Sequence, residues 1–353
     1  VKKTLLITFS ILIALAALAA MIAKGYTNMV QVLSHVQMSH LILALLASGA
    51  TYFFMGLSLW EVLKLLGHRI NIGAAVSIAF VSTTVNYFVS SMGVSGFALR
   101  AHLLRKRNVP FAASVTASVV ISVLLYAIMA FLALLGCFFL VLHSKGTRFQ
   151  LLEGIVGIVA LLGLCFFIGM GFFDHEMRSK WMHKIFVGIN HLTFFFSGGF
   201  IPRENFLRFE KQLEHGINII HQNKFKLTGA IAFSCLDWIC TLLVLDLGFR
   251  AVGVSVPIGL LIAGFALGMI TTLIPILPGG LGAMELAMTA AYATFGIPWH
   301  SALVACLIYR LAYYIIPAVL SFFVYWGLKM SEPLDLAEEQ EEIRRIMQED
   351  DNA

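Results

Sequence analysis

The sequence predicts an all-α, polytopic membrane protein with inverted repeats, made of about six full spans and two re-entrant or broken helical hairpins. Of its 353 residues, 59% are hydrophobic and 12% are charged, more apolar surface than one soluble core can hide. Several apolar runs reach the roughly 20 residues needed to cross a hydrocarbon layer of about 30 Å. None shows the period-two alternation of a barrel strand. Lipid offers the backbone no hydrogen-bond partner, so these runs must be helices.

In chain order the apolar runs are 5–23, 41–66, 74–90, 111–142, 151–173, 225–249, 257–277 and 299–328. The first follows Val1-Lys2-Lys3. Small residues around Ala17 and Ala20 would also suit a signal peptidase, but a chain embedded throughout favours an uncleaved span. The run 74–90 with its sequel to Arg107, and the run 257–277 with its sequel to Phe295, are read as hairpins that dip in and return. Lys2, Lys3, Lys64, Arg69, Arg100, Arg105, Lys106, Arg107, the basic residues between Arg178 and Lys226, Lys329, Arg344 and Arg345 then fall on one side. The other side keeps Lys24, Lys145, Arg148 and Arg250. The positive-inside rule makes the first side cytoplasmic, with both termini there, in a cell (inner) membrane of bacterial or archaeal type. The same distribution explains the net charge of +5 without a nucleic-acid partner.

An internal repeat accompanies this topology. Ser91-Met-Gly-Val-Ser-Gly96 is echoed by Leu277-Pro-Gly-Gly-Leu-Gly282, so Gly93 and Gly96 match Gly279 and Gly282. Asn108-Val-Pro-Phe111 likewise matches Gly296-Ile-Pro-Trp299, with proline in the first turn of the next helix. The expected organisation is a single transmembrane domain over 1–330, with repeats at about 40–142 and 225–328 and an acidic tail at 331–353. Between the repeats, the linker 174–224 places Phe206, Phe209, Leu213, Ile217 and Ile220 on one helical face, as in a helix lying in the membrane surface.

Inverted repeats with broken helices are an architecture of transporters, whose sites lie near the midplane where the breaks meet. Around Pro278, Gly279, Gly280 and Gly282, one helix stops and another starts with its positive end facing a cavity, which suits a phosphate diester. Gly93, Gly96 and the neighbouring serines would act similarly in the first repeat; packing by small residues is the competing explanation. Ionisable groups within spans require a partner or a function. Glu285 and Arg310 are the candidate pair, holding a lipid phosphate or forming a structural ion pair. Asp237 and Asp246 could take a proton or an amine, and Asp246 could equally anchor the interface. Arg100 stands near the position that Glu285 holds in the other repeat, within a basic cluster that also suits anionic lipid. Asn86 and Tyr87 are candidate polar lining.

Cys137, Cys165, Cys235, Cys240 and Cys306 lie in apolar runs without zinc spacing or a CxxC motif, so no metal or disulfide is expected. The histidines of the linker show no metal-ligand spacing. No GxSxG, HExxH, Walker or Rossmann signature occurs, so no catalytic residue or cofactor is assigned.

Leu277-Pro-Gly-Gly-Leu-Gly-Ala-Met-Glu285, followed by Arg310 in a terminal span, resembles the transmembrane region of lysylphosphatidylglycerol synthases and of flippase-like proteins that contain this region alone. The likeness runs from about residue 5 to 328. One position departs from the family pattern, which often has a basic residue where Met284 stands. The resemblance implies translocation of an aminoacylated phosphatidylglycerol between leaflets, while a separate soluble domain makes the lipid; with some 25 residues after the last span, it implies translocation rather than synthesis. Polyprenyl-phosphate sugars and hopanoid-related lipids are the other cargoes such relatives suggest. The expected function is flippase-like transport of an anionic or aminoacylated lipid, the alternative a membrane-embedded transferase or an accessory subunit supplying lipid. Expected partners are membrane lipid headgroups, with a separate lipid-synthesising enzyme and a second copy of the chain as protein candidates.

Overall fold

The computed structural model describes residues 34–88, 94–142, 203–271 and 282–330, with isolated positions at 32, 152, 156, 159, 163 and 280. The spans expected at 5–23 and 151–173, the turn residues Gly93, Pro278 and Gly279, and the tail 331–353 lie outside the described residues. Every described element is helical. In order they are α1 (Met38–Leu65), α2 (Ile72–Phe88), α3 (Val94–Arg105), α4 (Phe111–Leu142), α5 (Arg203–Gln222), a 3-10 turn (Lys224–Leu227), α6 (Thr228–Ala251), α7 (Ile258–Thr271), α8 (Ala283–Thr294), α9 (Trp299–Arg310), a π turn (Leu311–Ile315) and α10 (Ile316–Met330).

Among the described residues, four units are long and apolar enough to cross a membrane: α1, the Phe111–Gly136 part of α4, Phe225–Ala251 and Trp299–Met330. In the last, α9, the π turn and α10 form one rod of 32 residues. All four coincide with expected spans to within a few residues. By contrast, the 17 residues of α2 and the 14 of α7 rise only about 25 and 21 Å. Over the described residues that is short of a hydrocarbon layer of about 30 Å, and each packs against the helix that follows. In the first hairpin, Gly96 of α3 abuts the Ser82 carbonyl and Asn86 of α2, and Arg100 Nε donates to Ser82 Oγ at 3.2 Å, which fixes the two helices antiparallel. In the second, Gly264 and Gly268 of α7 abut Tyr292 and Met288 of α8, and the Tyr292 hydroxyl donates to the Leu261 carbonyl at 2.9 Å.

The central helices α1 and α6 run antiparallel. Ser58 Oγ and Ser234 Oγ share a hydrogen bond of 3.0 Å near one end, and the Gln37 N–H donates to the Ala251 carbonyl at 2.9 Å at the other. The first hairpin lies against α1 and α10, the second against α4 and α9. Equivalent elements end alike. Backbones turn left-handed at Gly67 (φ 86) after α1 and Gly253 (φ 74) after α6, and at Asn108 (φ 59) after α3 and Gly296 (φ 88) after α8. Each time the next N–H reaches back five residues: His68 to Leu63, Val254 to Phe249, Val109 to Leu104 and Ile297 to Tyr292, at 2.9 to 3.3 Å. This closes the helix by the Schellman pattern. The two matched sequence segments, Asn108-Val-Pro and Gly296-Ile-Pro, are therefore the same turn in two halves that point in opposite directions.

Two expectations need correction. Gly96 is not in a turn; it lies inside α3, where the absence of a side chain lets the helix approach the α2 backbone. Where its side chains are described, the apolar face of α5 covers protein rather than headgroups: Leu213 and Ile217 are buried against Ala112, Val115 and Val119 of α4, and Ile220 joins Leu103, Leu104 and Val120.

Since lipid tails are as apolar as leucine, helix association here depends on close packing rather than on expulsion of water. A Cβ added at Gly136 of α4 would stand 2.8 Å from the Ala263 Cα of α7, whereas one at Gly49 of α1 meets nothing within 4 Å. Gly136→Ala is therefore expected to force α4 and α7 apart and destabilise the protein by about 1–3 kcal/mol. Gly49→Ala should be neutral or stabilising. Thermal unfolding of the two variants in one detergent checks the pair.

Candidate functional site

The two hairpins converge at mid-length of the long helices. Asn86 and Tyr87, at the end of α2, lie level with Tyr313 and Tyr314 in the 299–330 rod; the Tyr87 and Tyr314 ring centroids are 4.6 Å apart. Met284 and Glu285, in the first turn of α8, meet Arg310 of the same rod. Gly280 (φ 66) and Gly282 (φ 81) precede α8, and Gly282, its N-cap, adopts a backbone conformation that strains any residue with a Cβ. That turn sets where Glu285 starts its helix.

Glu285 Oε1 and Arg310 Nε form an ion pair with both side chains nearly sealed, at 3% and 5% exposure. Arg310 is held on two further sides. Its Nη2 lies 3.4 Å from Met284 Sδ, and its Cζ sits 4.2 Å from the centroid of the Tyr314 ring. The cation is thus balanced by one carboxylate and by the negative face of one aromatic ring. A basic side chain at 284 would put a second cation beside Arg310, whereas Met284 offers its neutral sulfur. Glu285 Oε2 is buried with no hydrogen-bond partner among the described residues, and one acceptor on the pair is left for a donor.

Around the pair stands a tyrosine cluster that sequence reasoning passed over. Tyr309 stacks on Tyr313 (5.4 Å), Tyr313 on Tyr52 (5.6 Å), and the Tyr87 and Tyr313 hydroxyls are 3.2 Å apart. The rod changes from α to π winding here for a reason written in the sequence. Pro317 has no N–H, so the carbonyl four residues earlier, that of Tyr313, loses its helical donor. The Tyr52 hydroxyl donates to that carbonyl at 2.7 Å. One proline therefore opens the helix between Leu311 and Ile315, and one tyrosine from α1 closes the account of hydrogen bonds. Tyr309-Arg310 followed by Tyr313-Tyr314 and Pro317 was the available signal.

The other candidates are dispersed. Asn86 Oδ1 is buried and without a partner among the described residues, next to Gly96 at the first hairpin's tip. Arg100 bonds Ser82 within its own hairpin, and nothing among the described residues joins it to Glu285 or Arg310. Asp237 of α6 is 7% exposed and lies in electrostatic reach of Tyr52, Tyr87 and Tyr313. Asp246 pairs with Arg250 at 2.6 Å, one turn along the α6 surface, which makes it an end anchor. Gly93, Pro278 and Gly279 lie outside the described residues.

The sequence matches the model of the lysylphosphatidylglycerol synthase TM region over residues 7–321. Among individual relatives, a phosphatidylglycerol lysyltransferase of Staphylococcus aureus (strain MRSA252) is 32% identical over 91 residues, 26% of this chain and 11% of the relative. That of S. aureus (strain COL) is 29% identical over 102 residues, 29% of this chain and 12% of the relative. That of Staphylococcus haemolyticus (strain JCSC1435) is 27% identical over 106 residues, 30% and 13% respectively. The matched stretch thus spans 11% to 13% of those proteins. With four helices among the described residues able to cross a membrane and a family match over most of its length, this is a multi-pass membrane protein with a lipid-related role, and the chain belongs to the family defined by the lysylphosphatidylglycerol synthase TM region.

Proposed function

We propose that the chain moves an anionic or aminoacylated phospholipid, or a related lipid, between membrane leaflets, with both termini in the cytoplasm and acyl chains left in lipid. One observation carries this reading: a sealed Glu285–Arg310 pair stands where two opposed hairpins meet at mid-length of the spans. A charged arginine at such depth is costly and marks a pathway by default. In this scheme the headgroup phosphate competes with Glu285 for Arg310, while the freed carboxylate accepts an amine or hydroxyl of the headgroup. The start of α8 behind Gly282 adds the positive end of a helix. Gly93 and Asn86 of the first repeat and Pro278 and Gly279 of the second are proposed to complete the lining, and Arg100 is proposed to receive headgroups at the cytoplasmic mouth. The halves at about 40–142 and 225–328 act as the two arms of one transmembrane unit.

A second reading follows from the name of the relatives. If lysyltransferases carry this region beside their chemistry, the chain could present lipid to such an enzyme instead of transporting it. Purified protein in phosphatidylglycerol-containing vesicles separates the two: leaflet exchange of a fluorescent phosphatidylglycerol without any enzyme added supports transport, and exchange no faster than in empty vesicles supports presentation.

The pair itself is tested by removing it in two ways. Arg310→Ala alone leaves a buried carboxylate and is expected to cost about 3–5 kcal/mol of stability, whereas Glu285→Met with Arg310→Met replaces the pair by apolar groups and should be neutral or stabilising. The double variant should therefore fold normally, by thermal unfolding in detergent, and yet lose lipid exchange by about tenfold or more, equivalent to one lost interaction of some 1.4 kcal/mol with the moving headgroup. Normal exchange by the folded double variant would reduce the pair to a packing element.

Tyr52→Phe tests the support behind the site. It removes the donor to the Tyr313 carbonyl, and an unsatisfied buried carbonyl costs about 1–3 kcal/mol. The expected result is a lower unfolding temperature, with Pro317→Ala in the same background restoring it by returning the missing N–H.

A further inference from the structure

Proton coupling, one use the sequence leaves open for buried carboxylates, has three candidates in this chain, and the structure separates them. Glu285 is committed to Arg310, and Asp246 to Arg250 at the end of α6. Asp237 differs from both. It stands at mid-length of α6, is 7% exposed, and its Oδ1 has no hydrogen-bond partner among the described residues. No ion pair includes it among those residues.

Its surroundings say which cation fits. The groups that reach it electrostatically are the phenols of Tyr52 on α1, Tyr87 on α2 and Tyr313 in the π turn, and the Cys240 thiol on its own helix. The neighbouring α4 and α7 carry no charged residue, and the cation of α9, Arg310, is held by Glu285. The phenols are already engaged, Tyr52 with the Tyr313 carbonyl and Tyr87 with the Tyr313 hydroxyl. No group of three His, Cys, Asp or Glu gathers here among the described residues. A metal ion would lack ligands, and a bare carboxylate in so apolar a place would cost several kcal/mol. A proton meets both conditions.

The carboxyl also lies in a polar seam. Ser58 and Ser234 bond each other across α1 and α6, Thr241 bonds the Asp237 carbonyl, and Ser48 Oγ is buried and unpartnered among the described residues. The register fixed by Ser58–Ser234 and Gln37–Ala251 sets Ser48 and Thr51 level with Thr241 and Asp237 to within about a turn. Hydroxyls thus line the contact of the two central helices on both sides of one carboxyl group.

We infer that Asp237 is a proton-binding site, reached along the hydroxyl seam between α1 and α6, which couples headgroup movement to the proton gradient. The coupling rests on the transport reading above; the proton site does not. In the resting protein the carboxyl is neutral, the proton on one oxygen. During a transport cycle it leaves to water on one side and is replaced from the other, with no bond to carbon formed or broken.

Infrared spectroscopy of the protein in phosphatidylglycerol and phosphatidylethanolamine vesicles tests the site without any reference to cargo. The expected result is the carbonyl stretch of a protonated carboxylic acid at neutral pH, absent in Asp237→Asn and in Asp237→Ser; two variants guard against misfolding of one. No band assignable to residue 237 overturns the inference. In the same vesicles, a pH gradient of one unit should change the wild-type exchange of fluorescent phosphatidylglycerol by about three- to tenfold, tenfold being the limit for one proton. The rate in Asp237→Asn should be equal with and without the gradient. A variant that still responds to the gradient overturns the coupling. The band without any leaflet exchange in the wild type would leave the proton site standing and refute lipid transport.

Discussion

A positively charged guanidinium at mid-length of a membrane span must be answered by an opposite charge, and in this protein the answer comes from another hairpin. Arg310 sits in the last rod and Glu285 in the first turn of α8, so the pair forms only when the second hairpin is folded back to the right depth. Either group alone would be an uncompensated buried charge, with a penalty of several kcal/mol. The pair therefore acts as a register mark, and the turn at Gly280 and Gly282, the approach of α7 to α8 at Gly264 and Gly268, and the face that Met284 presents are all arranged around it.

Two apolar regions gather around the hairpins. One gathers Leu59, Leu63, Ile78, Leu103, Leu104 and Ile121 around the first hairpin; the other gathers Phe249, Phe265, Met288, Tyr292 and Cys306 around the second. Tyr309, Tyr313 and Tyr314 belong to the second region and Tyr87 packs against it, so that the tyrosines form an amphipathic layer whose rings carry packing while the hydroxyls of Tyr52, Tyr87 and Tyr313 carry hydrogen bonds. Such an amphipathic layer can hold polar atoms in a low-dielectric interior with few of them left unmatched. Among the described residues, Asn86 Oδ1, Asp237 Oδ1 and Glu285 Oε2 belong to the buried polar atoms without a hydrogen-bond partner, together with His40 Nδ1, Ser48 Oγ, Trp238 Nε1 and Thr289 Oγ1.

How far the sequence reveals this depends on the range of the forces involved. Long spans and short hairpin limbs are legible because span length and loop charge are one-dimensional quantities: α1, α4, α6 and the 299–330 rod fall where apolar runs fall. The Glu285–Arg310 pair is legible because charges inside apolar runs are rare enough to demand one another. The position of Gly96 is not, because a glycine that allows a close helix approach reads the same as one that allows a turn until its neighbour across the gap is known. The burial of α5 on α4 escapes for a related reason: an amphipathic face fits protein and membrane surface equally well. The tyrosine cluster is scattered over α1, α2 and the final rod, so only the local run from Tyr309 to Pro317 hints at it, and its partner Tyr52 lies 261 residues away.

If the hairpin tips and the ion pair hold a lipid head, a phospholipid bearing a photoreactive group on its headgroup should find them. Irradiation in lipid nanodiscs followed by peptide mass spectrometry is the most direct measurement. Adducts in the peptides that contain Tyr87 and Glu285, competed away by unlabelled phosphatidylglycerol, are the expected result. Adducts confined to α5 and the ends of the spans, with none at those tips, would contradict the account.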